Sequence, residues 1–191
     1  EYISEDPYLA GKMAAGFIRG AEEKGVATSL KHFAGNSQET KRFTSDSVID
    51  ERTLREIYLT AFEIAVKEGR PETVMCAYNK INGIHCSDNK RLLTDILRKE
   101  WRHQGIVVTD WGAMNDRIEG FKAGCDLSMP GGSDYMEDDV AKAVRSGALA
   151  EEIIDENVDR MIELILQSAA RLQKNATFDL EAHHEMAREA A

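Results

Sequence analysis

The sequence predicts an α/β fold in which parallel strands alternate with helices. Apolar segments of strand length recur along the chain, segments with helical periodicity separate them, and the run at 105–110 is apolar until it ends in an acid. Unbroken apolar strands are typical of parallel sheets, because both faces of such a sheet are covered by helices. Strict alternation also implies right-handed crossovers between the strands. At 191 residues, the chain is long enough for one domain with a sizeable core.

The first predicted element is a helix from Pro7 to about Lys24. Asp6 suits the N-cap and Pro7 the first helical position, and Leu9, Met13, Phe17 and Ala21 share one face. Later strands are predicted from apolar runs, later helices from apolar residues three or four apart, and breaks from Gly, Pro and Asn. In order, these elements are a strand at 26–33, a polar loop at 34–49, a helix from Asp50 to Gly69, a strand at 73–78, a turn at Asn82–Gly83, a helix at 89–102, a strand at 105–110, a helix at 114–123, a short strand at 125–129 and helices at 135–146 and 151–172.

The four predicted strands amount to half of an eight-stranded barrel. An open four-stranded α/β sheet is the structural alternative. The last helix presents an apolar stripe expected to face the core, formed by Ile154, Val158, Met161, Ile165, Ala169 and Leu172. Residues 1–172 therefore form the predicted partial barrel, and the polar residues 173–191 are expected to be a linker toward a second α/β domain.

Charge and composition exclude several classes of partner. The chain has 24 Lys and Arg against 34 Asp and Glu, a net charge of −10, which argues against nucleic acids and anionic membrane surfaces. No apolar run approaches the roughly 18–20 residues of a membrane span. Three cysteines without close spacing and scattered histidines match neither a disulfide framework nor a metal site. We expect a cytoplasmic protein, with a secreted or periplasmic one as the alternative.

Three successive predicted strands end in polar side chains. Lys31-His32, Tyr78-Asn79 and Thr109-Asp110 would converge on one rim if these strands are parallel neighbours. A carboxylate among Lys, His and Tyr suits the stabilisation of, or attack on, a cationic centre, as in glycoside hydrolysis. The indole of Trp111 would add a platform for a sugar face. Two alternatives stay open: Asp110 caps the next helix, or Lys31 forms a Schiff base.

The chain resembles glycoside hydrolase family 3. Residues 96–100, the run at 105–110 and Ala113 fit the family's active-site signature at every defined position, and further blocks at 4–7, 31–33, 78–79 and 124–130 follow in the family's order. The resemblance covers about residues 1–172. It implies the second half of a TIM-type (β/α)8 barrel and a retaining mechanism that needs no cofactor.

The resemblance also implies roles for individual residues. Asp110 matches the catalytic nucleophile, and Lys31 and His32 match the pair that binds sugar hydroxyls in the cleaved subsite. Four further matches are substrate-binding positions: Arg42 in the polar loop, Met75, Tyr78 near the nucleophile, and Trp111 on the acceptor side. Met75 could equally be core packing and Arg42 a solvated charge. Asp126, which recurs in the family, is expected to hold a strand end.

The departures from the family concern the rest of the site. In β-glucosidase-like members the acid/base is a Glu of a second α/β domain, which we expect to lie past residue 191, and other pocket residues are expected upstream of Glu1. A hexosaminidase branch carries a His-Asp dyad after its Lys-His-Phe, where this chain has residues 34–37, Ala-Gly-Asn-Ser. The β-glucosidase-like branch is therefore preferred. Glu39 is a minor alternative for the acid.

We therefore predict part of a retaining β-glycosidase that hydrolyses terminal β-glucosyl residues from oligosaccharides or aryl glycosides through a glycosyl-enzyme intermediate. The predicted partner is a small-molecule β-glucoside. The alternative is a non-catalytic half-barrel fragment or scaffold, for which self-association into a homo-oligomer stays open because strand edges and an apolar face would be exposed.

Overall fold

The structure is a computed structural model that describes residues 3–131, 134–172 and 177–191. Its elements are, in chain order, α1 (Pro7–Glu22), β1 (Ser29–Phe33), β2 (Asp46–Ser47), α2 (Glu51–Thr53), a π-helix (Leu54–Tyr58), α3 (Thr60–Ile64), a second π-helix (Ala65–Gly69), β3 (Thr73–Cys76), β4 (Lys80–Ile81), β5 (Ile84–His85), a 3-10 helix (Cys86–Asp88), a third π-helix (Arg91–Glu100), β6 (Ile106–Thr109), α4 (Arg117–Ala123), α5 (Asp134–Ser146), α6 (Glu151–Arg171) and α7 (Leu180–Ala190).

The main sheet consists of three parallel strands in the order β1-β3-β6. Helices connect them in sequence, so the predicted α/β class with parallel strands is confirmed. The predicted fourth strand at 125–129 is reduced to a single parallel bridge between Leu127 and Val108. The strands follow one another across the sheet in chain order, as expected for part of a (β/α)8 barrel. All four residues of β6 are buried.

A small second sheet, in the order β2-β4-β5, closes the long loop after β1. β4 and β5 form an antiparallel hairpin around the predicted turn, where Asn82 and Gly83 both have positive φ values, 51° and 88°. Two positive φ values are what a tight two-residue hairpin turn requires, and Asn-Gly is favoured there. Pairing of β2 with β4 fixes the end of the loop against the segment that follows β3.

The core lies between one face of the main sheet and the helices that connect its strands. Phe33 packs edge-on against Phe62, with ring centroids 5.1 Å apart, and lies 5.7 Å from Trp101. The apolar residues of the helix predicted at 89–102 face this core, since Leu92, Leu93, Ile96 and Leu97 are all buried. The chain between β1 and β6 is thus held by one continuous apolar cluster.

Two predicted apolar faces do not pack as expected. On α1 it is Ala10, Gly11, Ala15 and Ile18 that are buried, whereas Leu9, Met13 and Phe17 are 46%, 55% and 76% exposed. On α6 the predicted core stripe is largely at the surface, with Val158, Ile165 and Leu172 at 46%, 59% and 73% exposure. The small residues of α1 allow close approach to α3, because a Cβ on Gly11 would lie 2.8 Å from the Cβ of Ile64.

Residues 173–176 lie outside the described part of the chain, so the predicted linker is described only from residue 177, and there it contains helix α7 with no buried side chain. Among the described residues, no helix combines the length and apolar character that crossing a bilayer requires. Cys76, Cys86 and Cys125 are free thiols in the core.

Candidate active site

The C-terminal ends of the three parallel strands form the rim that carries the predicted residues. Phe33 of β1 is in register with Cys76 of β3, and Cys76 with Thr109 of β6. His32 near the end of β1, Tyr78 just after β3 and Asp110 just after β6 therefore lie at one edge of the sheet. This is the edge at which α/β barrels place their chemistry.

Asp110 stands immediately after β6, and its carboxylate is oriented by its own backbone surroundings. Its amide N–H donates to the Cys76 carbonyl at 3.1 Å, which continues the pairing of β6 with β3. The N–H of Trp111 donates to Asp110 Oδ1 at 2.6 Å, and the Asp110 carbonyl accepts from Ala113 N at 2.9 Å. The side chain is fixed by the turn after the strand and is 16% exposed.

His32 faces the other oxygen of the same carboxylate. Its Nε2 lies 3.3 Å from Asp110 Oδ2, and the two side chains are 15% and 16% exposed. Such a pair leaves the carboxylate accessible to a small molecule while limiting its contact with water. Lys31, the preceding residue in β1, is exposed at the same strand end.

Tyr78 packs beside the nucleophile candidate and ties the two neighbouring loops together. Its buried hydroxyl donates to the Trp111 carbonyl at 2.8 Å. Burial raises the pKa of the Tyr78 hydroxyl, the negative charge of Asp110 raises this pKa further, and Arg42 opposes the shift. The hydroxyl is thus held in its neutral form, in which it can donate a hydrogen bond.

Arg42 lies over Tyr78 rather than in open solvent. Its guanidinium carbon is 4.4 Å from the centroid of the Tyr78 ring and 5.5 Å from that of Phe43, a cation–π arrangement. The Phe43 and Tyr78 rings are 4.3 Å apart. Arg42 also donates to Glu39 Oε2 at 2.8 Å, so the loop after β1 is folded onto the rim.

Met75 lies within β3 and is half-buried, whereas Trp111 lies after β6 and is exposed. Met75 alternates with the buried Val74 and Cys76, so it lies on the face of β3 opposite the core cluster, in register with Val108. It is half-buried. Trp111 is 62% exposed, although its backbone N–H and carbonyl bond to Asp110 and Tyr78. An exposed indole beside the carboxylate is available to stack on a ligand.

Asn79 has a structural role. The sequence indicated only that it is a polar residue at a strand end. It is fully buried, and its Nδ2 donates to the carbonyls of Ala34 at 3.2 Å and Gly35 at 3.3 Å. Ala34 and Gly35 follow directly on β1, so Asn79 joins the segment after β1 to the segment after β3. A buried amide with such partners stabilises the local backbone.

Asp126 holds the beginning of β6, as expected from the sequence. Its buried carboxylate accepts from the Val107 N–H at 2.6 Å, from Arg98 at 2.5 Å and from Arg160 at 2.8 Å. Burial lowers the pKa of the Arg98 guanidinium, against the opposing effect of Asp126. Neither arginine could be predicted for this role from the sequence, because each lies on a separate helix.

The opposite ends of the strands carry a cavity of about 750 Å³ lined by residues such as Arg70, Glu72 and Gly105. None of the predicted site residues lines it. Within residues 3–131, 134–172 and 177–191, no three His, Cys, Asp or Glu side chains are grouped to hold a metal ion.

Comparison with known proteins identifies relatives of the whole chain. The model of the glycosyl hydrolase family 3 N terminal domain matches residues 1–164. The chain is 51% identical over 191 residues to thermostable beta-glucosidase B of Acetivibrio thermocellus and 49% identical over 192 residues to exo-alpha-(1->6)-L-arabinopyranosidase of Bifidobacterium longum, covering 100% of this chain and 25% of each relative. It thus spans about a quarter of these proteins.

Solved structures agree in fold. The Bifidobacterium adolescentis GH3 beta-glucosidase superposes with a TM-score of 0.94 at 47% identity, covering 100% of this chain and 28% of that one. Beta-glucosidase 3B from Thermotoga neapolitana in complex with glucose gives a TM-score of 0.92 at 43% identity over the same shares, 100% and 28%.

Proposed function

The chain belongs to glycoside hydrolase family 3, and we propose that it supplies the nucleophile-bearing part of a retaining β-glycosidase. The proposed enzyme releases terminal β-glucosyl residues from oligosaccharides or aryl glycosides. The observation that carries the proposal is the placement of Asp110. It ends a buried parallel strand, one carboxylate oxygen is fixed by the Trp111 N–H at 2.6 Å, and the other faces His32 Nε2 at 3.3 Å.

In the proposed reaction, a carboxylate oxygen of Asp110 attacks the anomeric carbon as the bond to the leaving group breaks. The glycosyl-enzyme ester is then cleaved by water, which returns the carboxylate and releases the sugar with its starting configuration. Lys31, His32 and Arg42 are proposed to hold sugar hydroxyls, and Trp111 to flank the acceptor. A neutral Tyr78 hydroxyl keeps the Trp111 backbone, and with it the Asp110 carboxylate, in place.

Protonation of the leaving group needs a second residue. Both oxygens of Glu39 accept hydrogen bonds, from Asn36 at 3.2 Å and Arg42 at 2.8 Å, which argues against proton donation by this carboxylate. We propose that the acid/base belongs to another segment of the whole enzyme, as the family resemblance implies.

Replacing the nucleophile tests the proposal. In the whole enzyme that carries this chain, Asp110→Asn should lower kcat for a 4-nitrophenyl β-glucoside by at least about a thousandfold, because the amide cannot form the ester intermediate. The thermal unfolding midpoint should stay near that of the wild type. Asp139→Asn, an exposed carboxylate paired with Lys142 on α5, is the matched control and should retain full activity. Near-normal turnover by the Asp110 variant would contradict the assignment.

Covalent trapping gives an independent result. A 2,4-dinitrophenyl 2-deoxy-2-fluoro-β-glucoside needs no acid catalysis, so its adduct should appear on the peptide that contains Asp110. The corresponding α-L-arabinopyranoside serves as a second probe. Of two relatives with similar sequence identity to this chain, one is named a beta-glucosidase and the other an arabinopyranosidase. An adduct on another peptide would show that Asp110 is not the nucleophile.

A second candidate concerns the chain by itself, as a non-catalytic half-barrel scaffold that pairs with another copy. It is supported by the apolar side chains exposed on α1, among them Phe17 at 76%, since exposed apolar patches often mark interfaces. Sedimentation of the isolated chain tests it. A monomer at all concentrations would exclude pairing.

A further inference from the structure

Glu39 occupies the centre of a short series of polar contacts within the loop that follows β1. Asn36, which is only 9% exposed, donates to Glu39 Oε1 at 3.2 Å, and Arg42 donates to Glu39 Oε2 at 2.8 Å. One side of the carboxylate is therefore bonded to a buried residue and the other to a cation. This arrangement fixes where the carboxylate lies and, through it, where the guanidinium lies.

Arg42 connects Glu39 to the aromatic wall of the site. The guanidinium stacks at 4.4 Å from the Tyr78 ring centroid, and the Tyr78 hydroxyl bonds to the Trp111 carbonyl at 2.8 Å. The planar guanidinium needs a defined orientation to stack on a ring and still present N–H donors outward. A carboxylate that accepts one of those donors supplies this orientation.

We propose that Glu39 is a positioning residue, which holds the Arg42 guanidinium against the Tyr78 ring so that Arg42 is preorganised to bind a hydroxyl of the sugar. The proposal rests on the proposed function and deepens it by naming a residue that acts on the sugar through another. Glu39 itself takes no part in bond making or proton transfer.

The exposure of the pair makes the proposal testable without loss of the fold. The side chains of Arg42 and Glu39 are 38% and 59% exposed, and exposed ion pairs contribute little to folding stability. The contribution of Glu39 should therefore appear in catalysis, where a misplaced group reduces the rate, and not in the unfolding midpoint.

A double-mutant cycle separates positioning from a general structural effect. In the whole enzyme, Glu39→Ala should lower kcat/KM for a 4-nitrophenyl β-glucoside about threefold to tenfold. In an Arg42→Ala background, the same change should alter kcat/KM by less than about twofold, because the residue it positions is already gone. The proposal would be overturned if the double variant lost kcat/KM by the product of the two single losses. It would also be overturned if Glu39→Ala left kcat/KM unchanged. Glu39→Gln permits the same cycle if the alanine variant does not fold.

The pair formed by Glu119 and Lys122 on α4 is a close control. It has the same i,i+3 spacing, the same 2.8 Å separation and similar exposures of 55% and 35%. Glu119→Ala should leave kcat/KM unchanged, and an equal loss there would also overturn the proposal. A wild-type enzyme inactive on both aryl glycosides would instead count against the proposed function, so the two failures are distinguishable.

Discussion

At the scale of single residues, burial shifts the pKa of one group at each end of the sheet, Tyr78 at the rim and His103 at the opposite strand ends. Tyr78 is buried next to the Asp110 carboxylate, so the pKa of its hydroxyl is raised and the group stays a donor. His103, at the other end of β6, is only 5% exposed, and burial together with the charge of Arg98 lowers its pKa to about 4. The raised pKa keeps the Tyr78 hydroxyl able to donate to the Trp111 carbonyl. The lowered pKa of His103 makes the stability of the fold depend on pH.

His103 should make the folded state sensitive to acid. Its unfolded pKa is about 6.5 and its folded pKa about 4, so between these values the unfolded chain binds the additional proton. Its contribution, at most about 3 kcal/mol, is fully present above pH 6.5 and is lost as the pH falls toward 4. Urea unfolding of the chain at pH 4 to 7 should show this loss. His103→Gln should reduce the slope of the unfolding free energy against pH.

His184→Gln is the control for this measurement, because His184 is exposed on α7. It should leave the pH dependence unchanged. Equal slopes for the wild type and His103→Gln would contradict the role of His103.

At the scale of elements, the close approach of β3 and β6 positions Asp110. The Ile106 N–H donates to the Glu72 carbonyl at 3.2 Å, and the pairing continues to the bond between Asp110 N and the Cys76 carbonyl at 3.1 Å. Gly105 is needed at the start of β6, because a Cβ there would lie 1.9 Å from Glu72 O and 2.7 Å from its carbonyl carbon. Backbone atoms cannot move aside as a flexible side chain can.

Gly105→Ala should therefore destabilise the fold by more than about 3 kcal/mol, the upper end of the usual cost of overpacking. Gly16→Ala in α1 is the matched change, because beyond the adjoining backbone of α1 the added Cβ would meet no atom within 4 Å. It should stabilise the fold by about 0.5–1 kcal/mol through helix propensity. Denaturant unfolding of both variants measures the difference, and similar values for the two would refute the steric argument.

The sequence was sufficient to predict the elements whose patterns depend on local packing. β6 and the helix at 91–100 have apolar residues at the spacing of their own geometry, and both are buried as expected. Periodicity shows which residues share a face, but not whether a neighbouring element covers that face. The stripe of α1 that includes Phe17 is exposed for this reason.

In the candidate site, too, the placement of strand ends could be predicted from the sequence, whereas the contacts of loop residues could not. The polar ends of the strands could be predicted to converge because parallel strands end at one edge, and His32 and Asp110 do lie together. The partners of Arg42 could not be predicted, since loop residues such as Glu39 and Phe43 have no periodic pattern. The roles of the site residues in binding and catalysis stay predictions until they are measured.

At the scale of the whole molecule, one buried carboxylate joins segments that are distant in the sequence. Asp126 contacts Arg98 before β6, the backbone of Val107 within β6, and Arg160 on α6. α6 otherwise contributes few buried residues, so this network is a main link between α6 and β6, the strand that Asp110 follows. Arg171 adds an ion pair between α6 and Glu72.

Asp126→Asn should destabilise the chain by about 3–5 kcal/mol, because Arg98 and Arg160 lose the carboxylate charge that they contact at 2.5 and 2.8 Å, and the Glu156 carboxylate lies farther from Arg160, at 3.8 Å. The amide keeps the shape of the side chain, so the loss would report charge rather than packing. Asp95→Asn removes a carboxylate from the exposed pair with Lys99, and its unfolding curve should match that of the wild type. Denaturant unfolding followed by circular dichroism checks both variants. Equal stability of Asp126→Asn and the wild type would mean that hydrogen bonds alone, without the charge, are enough to hold α6 to β6.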